Sequence, residues 1–211
     1  MKDIVLFGVQ WAWKWTQASK ILEYFWEDCK YFEAWNILRA LKSKPNALWE
    51  YVSNTIDEWN MVNDDFISSL FYAFITTLKD SDFMLLDWYP RKSLQMNHFL
   101  DKMNEKNRDF IALFLDLSED VAIKRLSSRR ICNDCWKVNS SLVSSTCLNC
   151  WSQDLIQRED DYPDAITKRI SLYKDETQPV IDHFKSLWNF VSIDANWTED
   201  EVFERILKNI S

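Results

Sequence analysis

The chain has 211 residues and a formal net charge of −8 at neutral pH. That length supports one domain with a sizeable core, and the acidic balance argues against a general binder of nucleic acids or anionic membranes. No apolar run approaches the length of about eighteen residues that indicates a membrane-spanning helix. The N-terminal stretch MKDIVLFGVQ lacks the pattern of a secretory leader. We therefore expect a soluble, cytoplasmic protein.

Short apolar runs alternate with amphipathic stretches along the chain. The runs are DIVLFGV, CKYFEA, DFMLLD, FIALFLDL and NFVSIDA, in that order, and they predict buried strands. Segments such as TQASKILEYF and SLQMNHFLDKMNEK lie between them and predict helices. Continuous apolar strands separated by helices favour an α/β fold with a parallel sheet covered on both faces.

Two segments interrupt this alternation. One is a polar, helical stretch over residues 33–62, and the other is a cysteine-bearing stretch over residues 126–161. We interpret both as insertions into one core domain, which residues 1–32, 63–125 and 162–211 form.

Glycine is nearly absent from the chain, whereas tryptophan is abundant. Average usage of about 7% would give roughly 15 glycines. The sequence has one glycine, Gly8, and twelve tryptophans. One interpretation is an aromatic-rich protein with stacking surfaces. The other is that many tryptophan positions are glycine in the native protein, because a UGA codon that the source reads as glycine has been translated as tryptophan.

The positions of the tryptophans favour the second interpretation. Trp136 and Trp151 each follow the second cysteine of a Cys-x-x-Cys pair, where a metal knuckle favours φ > 0. Trp88 and Trp197 lie in predicted turns, and Trp188 lies at a helix-to-strand junction, where a C′ glycine is usual. Core or stacking tryptophans have no reason to collect at turns and helix ends.

The stretch GVQWAWKWTQ, residues 8–17, directly follows the first predicted strand. With glycine at its three tryptophans it fits the phosphate-binding pattern G-x-x-x-x-G-K-[ST], except that a glycine stands between Lys14 and Thr16. Such a loop turns its backbone N–H groups toward phosphate oxygens, and Lys14 adds a positive charge. The sequence therefore predicts a phosphate site between the first strand and the first helix.

Several arginines have the geometry that bidentate phosphate binding requires. They are Arg39, Arg91, Arg125, Arg129, Arg158 and Arg169. Arg125 and Arg129 are four residues apart in a predicted helix and share one face. For any single arginine, the alternative is a solvated position on a helix face. The phosphate-binding interpretation of the set therefore rests on the motifs in which these arginines lie.

Four cysteines form the pattern C-x2-C-x11-C-x2-C, namely Cys132, Cys135, Cys147 and Cys150. Two such pairs indicate a structural zinc site, because four thiolate ligands leave no open position for catalysis. Disulfides are the competing interpretation, and they are rare in cytosolic enzymes. Cys29 is left over, and we expect a buried free thiol there.

Four segments, in this order, resemble the adenylate kinase family: GVQWAWKWTQAS, AWNILRAL, LLDWYPRK and QREDDYPDAITKRISLY. The resemblance runs nearly end to end and includes both insertions. It implies a doubly wound P-loop core, a mobile monophosphate-binding domain at residues 33–62 and a mobile zinc-bearing lid at residues 126–161. The implied reaction is reversible phosphoryl transfer from Mg-ATP to AMP, giving two ADP, and the implied state is a monomer.

The resemblance also implies roles for individual residues. Those implied to bind ATP are Gly8, Trp11, Ala12, Trp13, Lys14, Trp15, Thr16, Arg125 and Arg129. Those implied to bind AMP are Ala34, Arg39, Val62, Trp88, Arg91, Gln95, Arg158 and Arg169. Among these, Arg125 would stack on the ATP adenine, Arg39 and Arg91 would hold the AMP phosphate, and Gln95 would read the AMP base.

The implied catalytic set combines phosphate ligands with one carboxylate: Lys14, Asp87, Arg91, Arg129, Arg158 and Arg169. In this set, Asp87 would organise Mg²⁺ through water. Three arginines would surround the transferred phosphoryl group, namely Arg129, Arg158 and Arg169. Asp160 and Asp161 would take part in the contacts of the closed lid.

One departure from the family pattern leaves alternatives open. Ala34, Trp35 and Asn36 stand where the family usually has Ser/Thr, Gly and Asp, so a hydroxyl and a carboxylate near AMP are missing. A kinase for another monophosphate, or one with another triphosphate donor, is therefore an alternative. A catalytically inactive, zinc-stabilised interaction module is a third, if the tryptophans of the loop are real.

Overall fold

The structure is a computed structural model that describes residues 1–9, 12–57, 62–158 and 161–210. The strands, in chain order, are β1 (Asp3–Gly8), β2 (Cys29–Glu33), β3 (Phe83–Asp87), β4 (Phe110–Asp116), β5 (Arg129–Cys132), β6 (Val138–Ser140), β7 (Leu155–Ile156) and β8 (Phe190–Asp194). The α-helices are α1 (Lys14–Phe25), α2 (Ala34–Lys42), α3 (Trp49–Asp57), α4 (Asp64–Ile75), α5 (Ser93–Glu105), α6 (Glu119–Ser128), α7 (Pro163–Leu172), α8 (Gln178–Lys185) and α9 (Glu199–Ile210). Within the described residues, no helix is long and apolar enough to cross a membrane.

A parallel sheet with the strand order β2-β3-β1-β4-β8 forms the centre of the molecule. Its strands coincide with the five apolar runs, so those predictions are confirmed. Because the strands are parallel, their carboxyl ends meet at one edge of the sheet, where ligands of open α/β sheets bind. Glu33 pairs with Asp87 across β2 and β3 at this edge, and Gly8 ends the neighbouring strand β1.

Both faces of the sheet are covered by helices, which confirms the predicted α/β class. Successive side chains of a strand point to opposite faces. Val5 and Phe7 accordingly pack with the buried side of α4, α5 and α8, whereas Ile4 and Leu6 pack with α1, α6 and α9. Strands that are apolar on both faces, such as FMLLD of β3, are therefore explained by this two-sided burial.

The two segments that interrupt the alternation have structures of their own. Helices α2 and α3 lie within residues 33–62. A three-stranded antiparallel sheet, in the order β6-β5-β7, lies within residues 126–161. Their assignment as separate domains with these boundaries stays a prediction.

The helical region that runs from Pro163 to Lys185 contains a π-helical turn, Tyr173–Thr177, between α7 and α8. A π turn holds one more residue than a regular α-helical turn and often occurs near functional sites. Arg169 lies in the last turn of α7, before the π turn, while Val180, Ile181 and Phe184 are buried side chains of α8, after it.

Candidate functional site

A lysine and an aspartate face each other at the carboxyl edge of the sheet. Lys14 is the first residue of α1, and its Nζ lies 3.5 Å from Oδ1 of Asp87, the last residue of β3. Burial lowers the pKa of Lys14 and raises the pKa of Asp87, while the attraction between the two groups opposes both shifts. Oδ1 of Asp87 has no hydrogen-bond partner among the described residues. This acceptor is available for a further ligand.

Gly8 allows a close approach of the backbone to the end of β4. A Cβ built on Gly8 would lie 3.0 Å from the carbonyl oxygen of Leu115 and 3.1 Å from Cβ of Ala12. The φ angle of Gly8 is +155°, a conformation that L side chains rarely adopt. The start of the predicted phosphate loop therefore requires glycine.

The rest of the loop is described from Ala12 onward, and Trp11 lies outside the described residues. Trp13 is the N-cap residue of α1 and has a left-handed backbone, with φ at 61°. Trp15 and Thr16 follow in the first turn of α1, and the indole of Trp15 is exposed. The described end of the loop therefore enters α1 through a left-handed residue, a conformation that favours glycine over tryptophan.

Two indoles lie against the cationic groups that were predicted to bind nucleotide. The ring of Trp88 lies 4.1 Å from Nζ of Lys14 and 4.4 Å from the guanidinium carbon of Arg91. The ring of Trp13 lies 4.5 Å from the guanidinium carbon of Arg125, where an adenine was expected. The guanidinium of Arg125 also donates to the carbonyl oxygen of Ala195, at 3.3 Å.

The cavity that Lys14 and Arg91 line is small. It measures about 20 Å³ and is lined by Lys14, Trp88, Arg91 and Tyr173, among others, which is roughly the space of one water molecule. The indole of Trp88 thus takes up space beside both the lysine and the arginine.

Arg91 lines this cavity, and Gln95 is hydrogen-bonded to the Arg91 backbone. Burial, followed by the nearby charge of Arg169, lowers the pKa of Arg91 to about 10. Gln95 accepts a hydrogen bond from the Arg91 backbone N–H at 2.9 Å and donates one to Asp64 at 2.7 Å. The Gln95 side chain thereby links the start of α5 to the start of α4.

Asp161 connects the segment that carries the cysteines to α7. Its carboxylate is fully buried, pairs with both nitrogens of the Arg129 fork, and lies 3.4 Å from Nη1 of Arg169. The Asp161 N–H donates to the carbonyl oxygen of Arg158 at 3.1 Å. Asp160, the other predicted lid residue, lies outside the described residues. The structure therefore gathers Arg129 and Arg169 around one carboxylate.

The predicted AMP side contains a carboxylate that the sequence reasoning missed. Glu33 is buried at the end of β2, and its Oε2 accepts from the Asn36 N–H at 3.0 Å, which caps α2. The same oxygen lies 3.8 Å from the guanidinium of Arg39, which also donates to Oδ1 of Asn36. Burial and the neighbouring Asp87 raise the pKa of Glu33, against the opposing effect of Arg39.

Glu33 therefore offers a carboxylate three positions before the one that the family pattern places at residue 36. Its signal in the sequence was its place at the carboxyl end of an apolar strand. Ala34 begins α2 and is buried, as is Val62 at the far end of the same segment.

The four cysteines predicted to bind metal come together. Their Sγ atoms all lie within 4.8 Å of one another, and all four thiols are free. Tetrahedral zinc with Zn–S bonds of about 2.3 Å needs sulfur atoms roughly 3.8 Å apart, and the Sγ–Sγ distances of Cys132 to Cys150 and of Cys135 to Cys147 are 3.4 and 3.5 Å. The Sγ of Cys147 accepts from the Asn149 N–H at 3.4 Å and from the Asn139 side chain at 3.6 Å. These donors favour a thiolate, so the cluster fits structural zinc.

Cys29, the remaining cysteine, is buried in β2 as expected. Burial raises the pKa of its thiol to about 12.

Comparison with known proteins decides the family. A family model described as adenylate kinase matches residues 6–188. The chain belongs to the adenylate kinase family. The resemblance of the four segments is thereby confirmed.

Curated relatives agree over nearly the whole chain, and each is named adenylate kinase. A protein of Wolbachia pipientis wMel is 34% identical, over 99% of this chain and 97% of the relative. A protein of Petrotoga mobilis is 30% identical, over 96% of this chain and 94% of the relative. A protein of Rickettsia prowazekii is 27% identical, over 97% and 98%. Because both insertions lie inside the matched lengths, the chain is similar to full-length family members.

Proposed function

We propose that the protein is an adenylate kinase that transfers the terminal phosphoryl group of Mg-ATP to AMP, giving two ADP. The observation that carries the proposal is the cluster of Lys14, Asp87 and Arg91 where β1 and β3 end, in a chain of this family. Phosphoryl transfer depends on positioning and on neutralising negative charge, and this cluster can do both.

The roles proposed for the cationic side chains follow from their places. Lys14, at the start of α1, binds the phosphates of ATP together with the N–H groups of the loop. Arg91 and Arg39 hold the phosphate of the acceptor. Arg129 and Arg169 give up part of their contact with Asp161. Together with Arg158, they bind the transferred phosphoryl group. Arg125 holds the adenine of ATP, and Gln95 the base of AMP.

Mg²⁺ accompanies ATP and neutralises charge on its phosphates. Asp87 fits this ion, because its buried Oδ1 has no hydrogen-bond partner among the described residues and water can bridge to it. The four cysteines would hold zinc as a structural ion that keeps the antiparallel strands of the 126–161 segment together. That segment would close over the nucleotides and exclude water, so that ATP is not hydrolysed.

A second candidate is a kinase for another nucleoside monophosphate. It is favoured by Ala34 and Asn36, which remove a hydroxyl and a carboxylate from the acceptor side, although Glu33 supplies a carboxylate there. The choice of acceptor nucleotide thus depends on the N-terminus of α2, where the residues differ from the family pattern.

Turnover of the chain with glycine at Trp11, Trp13, Trp15 and Trp88, in a coupled assay with AMP, CMP, UMP and GMP, tests both candidates. We expect the highest kcat/KM with AMP, and a preference for CMP or UMP would establish the second candidate. Lys14→Met should lose at least about a hundredfold in kcat, the scale on which one charge-stabilising group acts in a transition state. Lys20→Met is the matched control, because Lys20 lies on the same helix but pairs with Asp200 at the surface. Failure of every acceptor with the glycine variants described next would contradict both candidates.

A further inference from the structure

Tryptophan occupies nearly all the backbone positions that favour glycine. Of the six non-glycine residues with positive φ in the described part of the chain, five are tryptophan and one is Asn107. The five, here called the left-handed tryptophans, are Trp13, Trp26, Trp88, Trp136 and Trp151, with φ between 43° and 64°. Asparagine tolerates this region, whereas a bulky side chain there is an outlier. A chance distribution would not place one bulky residue type at these positions.

Three of the left-handed tryptophans close a turn through the main chain, a task that glycine ordinarily performs. Trp26 ends α1 and donates its N–H to the carbonyl oxygen of Leu22, as a C-terminal cap does. The N–H groups of Trp136 and Trp151 donate back to Cys132 and Cys147, each at 2.9 Å, and so close the two cysteine knuckles. The hydrogen bonds use only the main chain, so none of them requires an indole.

The indoles contribute little to the core of the protein, and among the left-handed tryptophans Trp13 packs against it as a partly buried side chain. Tryptophan is highly buried on average, yet no tryptophan is among the buried residues of the described chain. Trp26, Trp136 and Trp151 are 73%, 72% and 75% exposed. Loss of these side chains would therefore remove little packing.

The two left-handed tryptophans that are less exposed, Trp13 and Trp88, lie in the candidate site. The ring of Trp88 contacts both Lys14 and Arg91 and lines the cavity of about 20 Å³ beside them. The ring of Trp13 covers Arg125. A glycine at either position would remove the ring from its cationic neighbours and open the space that the ring fills.

We infer that the left-handed tryptophans are glycine in the protein as its source makes it, and that one codon, UGA, is read there as glycine. Since a codon has one meaning in a given cytoplasm, the same reading extends to every position that the gene encodes with UGA, and we expect Trp11 and Trp15 of the phosphate loop to be among them. The inference rests on backbone geometry, while its consequence for nucleotide binding rests on the proposed function.

Peptide mapping of the native protein tests the inference without reference to activity. The tryptic peptides of residues 3–14, 80–91 and 131–137 contain Trp13, Trp88 and Trp136 in turn. We expect each to have the mass and fragment ions of glycine at that position, and the tryptophan-free peptide 109–124 to match its sequence unchanged. Tryptophan in these peptides, or UGG codons at the five positions in the gene, would overturn the inference.

Recombinant variants test the consequence for the site. Glycine at Trp11, Trp13, Trp15 and Trp88 together should tighten Mg-ATP binding, measured by titration calorimetry, by at least tenfold over the chain with tryptophan. The matched control is Trp188→Gly, because Trp188 is 79% exposed and is not left-handed. Equal ATP affinity of the variant with four glycines and of the parent chain would refute the claim that the indoles obstruct the ATP site. If native peptides carry glycine but the glycine protein transfers no phosphoryl group, the inference stands and the proposed function fails.

Discussion

Replacing Trp136 and Trp151 by glycine should raise the thermal stability of the zinc-loaded protein. Both residues have left-handed backbones, with φ at 61° and 63°. The steric cost of that conformation for a residue with Cβ is about 1–2 kcal/mol per site, and the extra freedom of unfolded glycine returns about 0.5–1 kcal/mol of it. Their indoles are mostly exposed, so little packing is lost. The net expectation is roughly 1 kcal/mol per site and about 2 kcal/mol for the pair.

For a chain of this length, about 1 kcal/mol shifts the unfolding midpoint by about 2–4 °C, so the double variant should gain about 4–8 °C. Circular dichroism during heating, at fixed zinc concentration, measures the midpoint. Trp188→Gly is the control and should lower the midpoint slightly, because glycine gains no relief there and costs chain entropy. A double variant that melts at or below the parent temperature would refute the account of backbone strain.

Three further predictions concern single groups. Asp161→Asn removes the carboxylate shared by Arg129 and Arg169, and the loss of a buried ion pair costs about 3 kcal/mol; kcat and the melting temperature should both fall while zinc content is unchanged. Zinc extraction by a chelator should expose four thiols to a disulfide reagent but leave Cys29 unreactive, and five reactive thiols in the folded protein would contradict its burial. Glu33→Gln should stabilise the protein most at neutral pH, because the raised pKa of Glu33 means that its ionised form destabilises the fold. The advantage of glutamine should shrink as the pH falls through the folded-state pKa of Glu33, and a gap in melting temperature that widens on acidification would contradict this sign.

The sequence predicted the frame of the site well because backbone geometry restricts residue choice most at turns and metal knuckles. The apolar runs located all five strands of the parallel sheet, and the cysteine spacing located the cluster. The left-handed backbones of Trp88, Trp136 and Trp151 were expected from their neighbours in the sequence, and the structure has them.

Other features depend on contacts that no local pattern encodes. Trp188 was expected at a left-handed C′ position, and this was wrong: α8 ends through hydrogen bonds from Ser186 to His183 and from Leu187 to Phe184, which tighten the last turn without a left-handed residue. Trp197 likewise lies in a loop without a positive φ.

The carboxylate of Glu33 was missed for a related reason. Its importance arises from the pairing of β2 with β3, which brings it beside Asp87 from more than fifty residues away in sequence. The structure shows Arg129 and Arg169 around Asp161. The nucleotide-binding roles of the arginines remain predictions.

The π turn at Tyr173–Thr177 lies between an ionic face of the helical region and an apolar face that packs on the sheet. It constrains the number of residues between these two faces. Each residue of an α-helix advances the side-chain direction by about 100°, so one surplus residue rotates everything after it by that angle. Arg169 points to Asp161 before the turn, while Val180 and Phe184 pack on the sheet after it. A one-residue deletion inside 173–177 would restore a regular helix, and either the ionic face or the apolar face would then lose its partner. Natural variation in length should therefore be absent from this stretch, even where its residue types change.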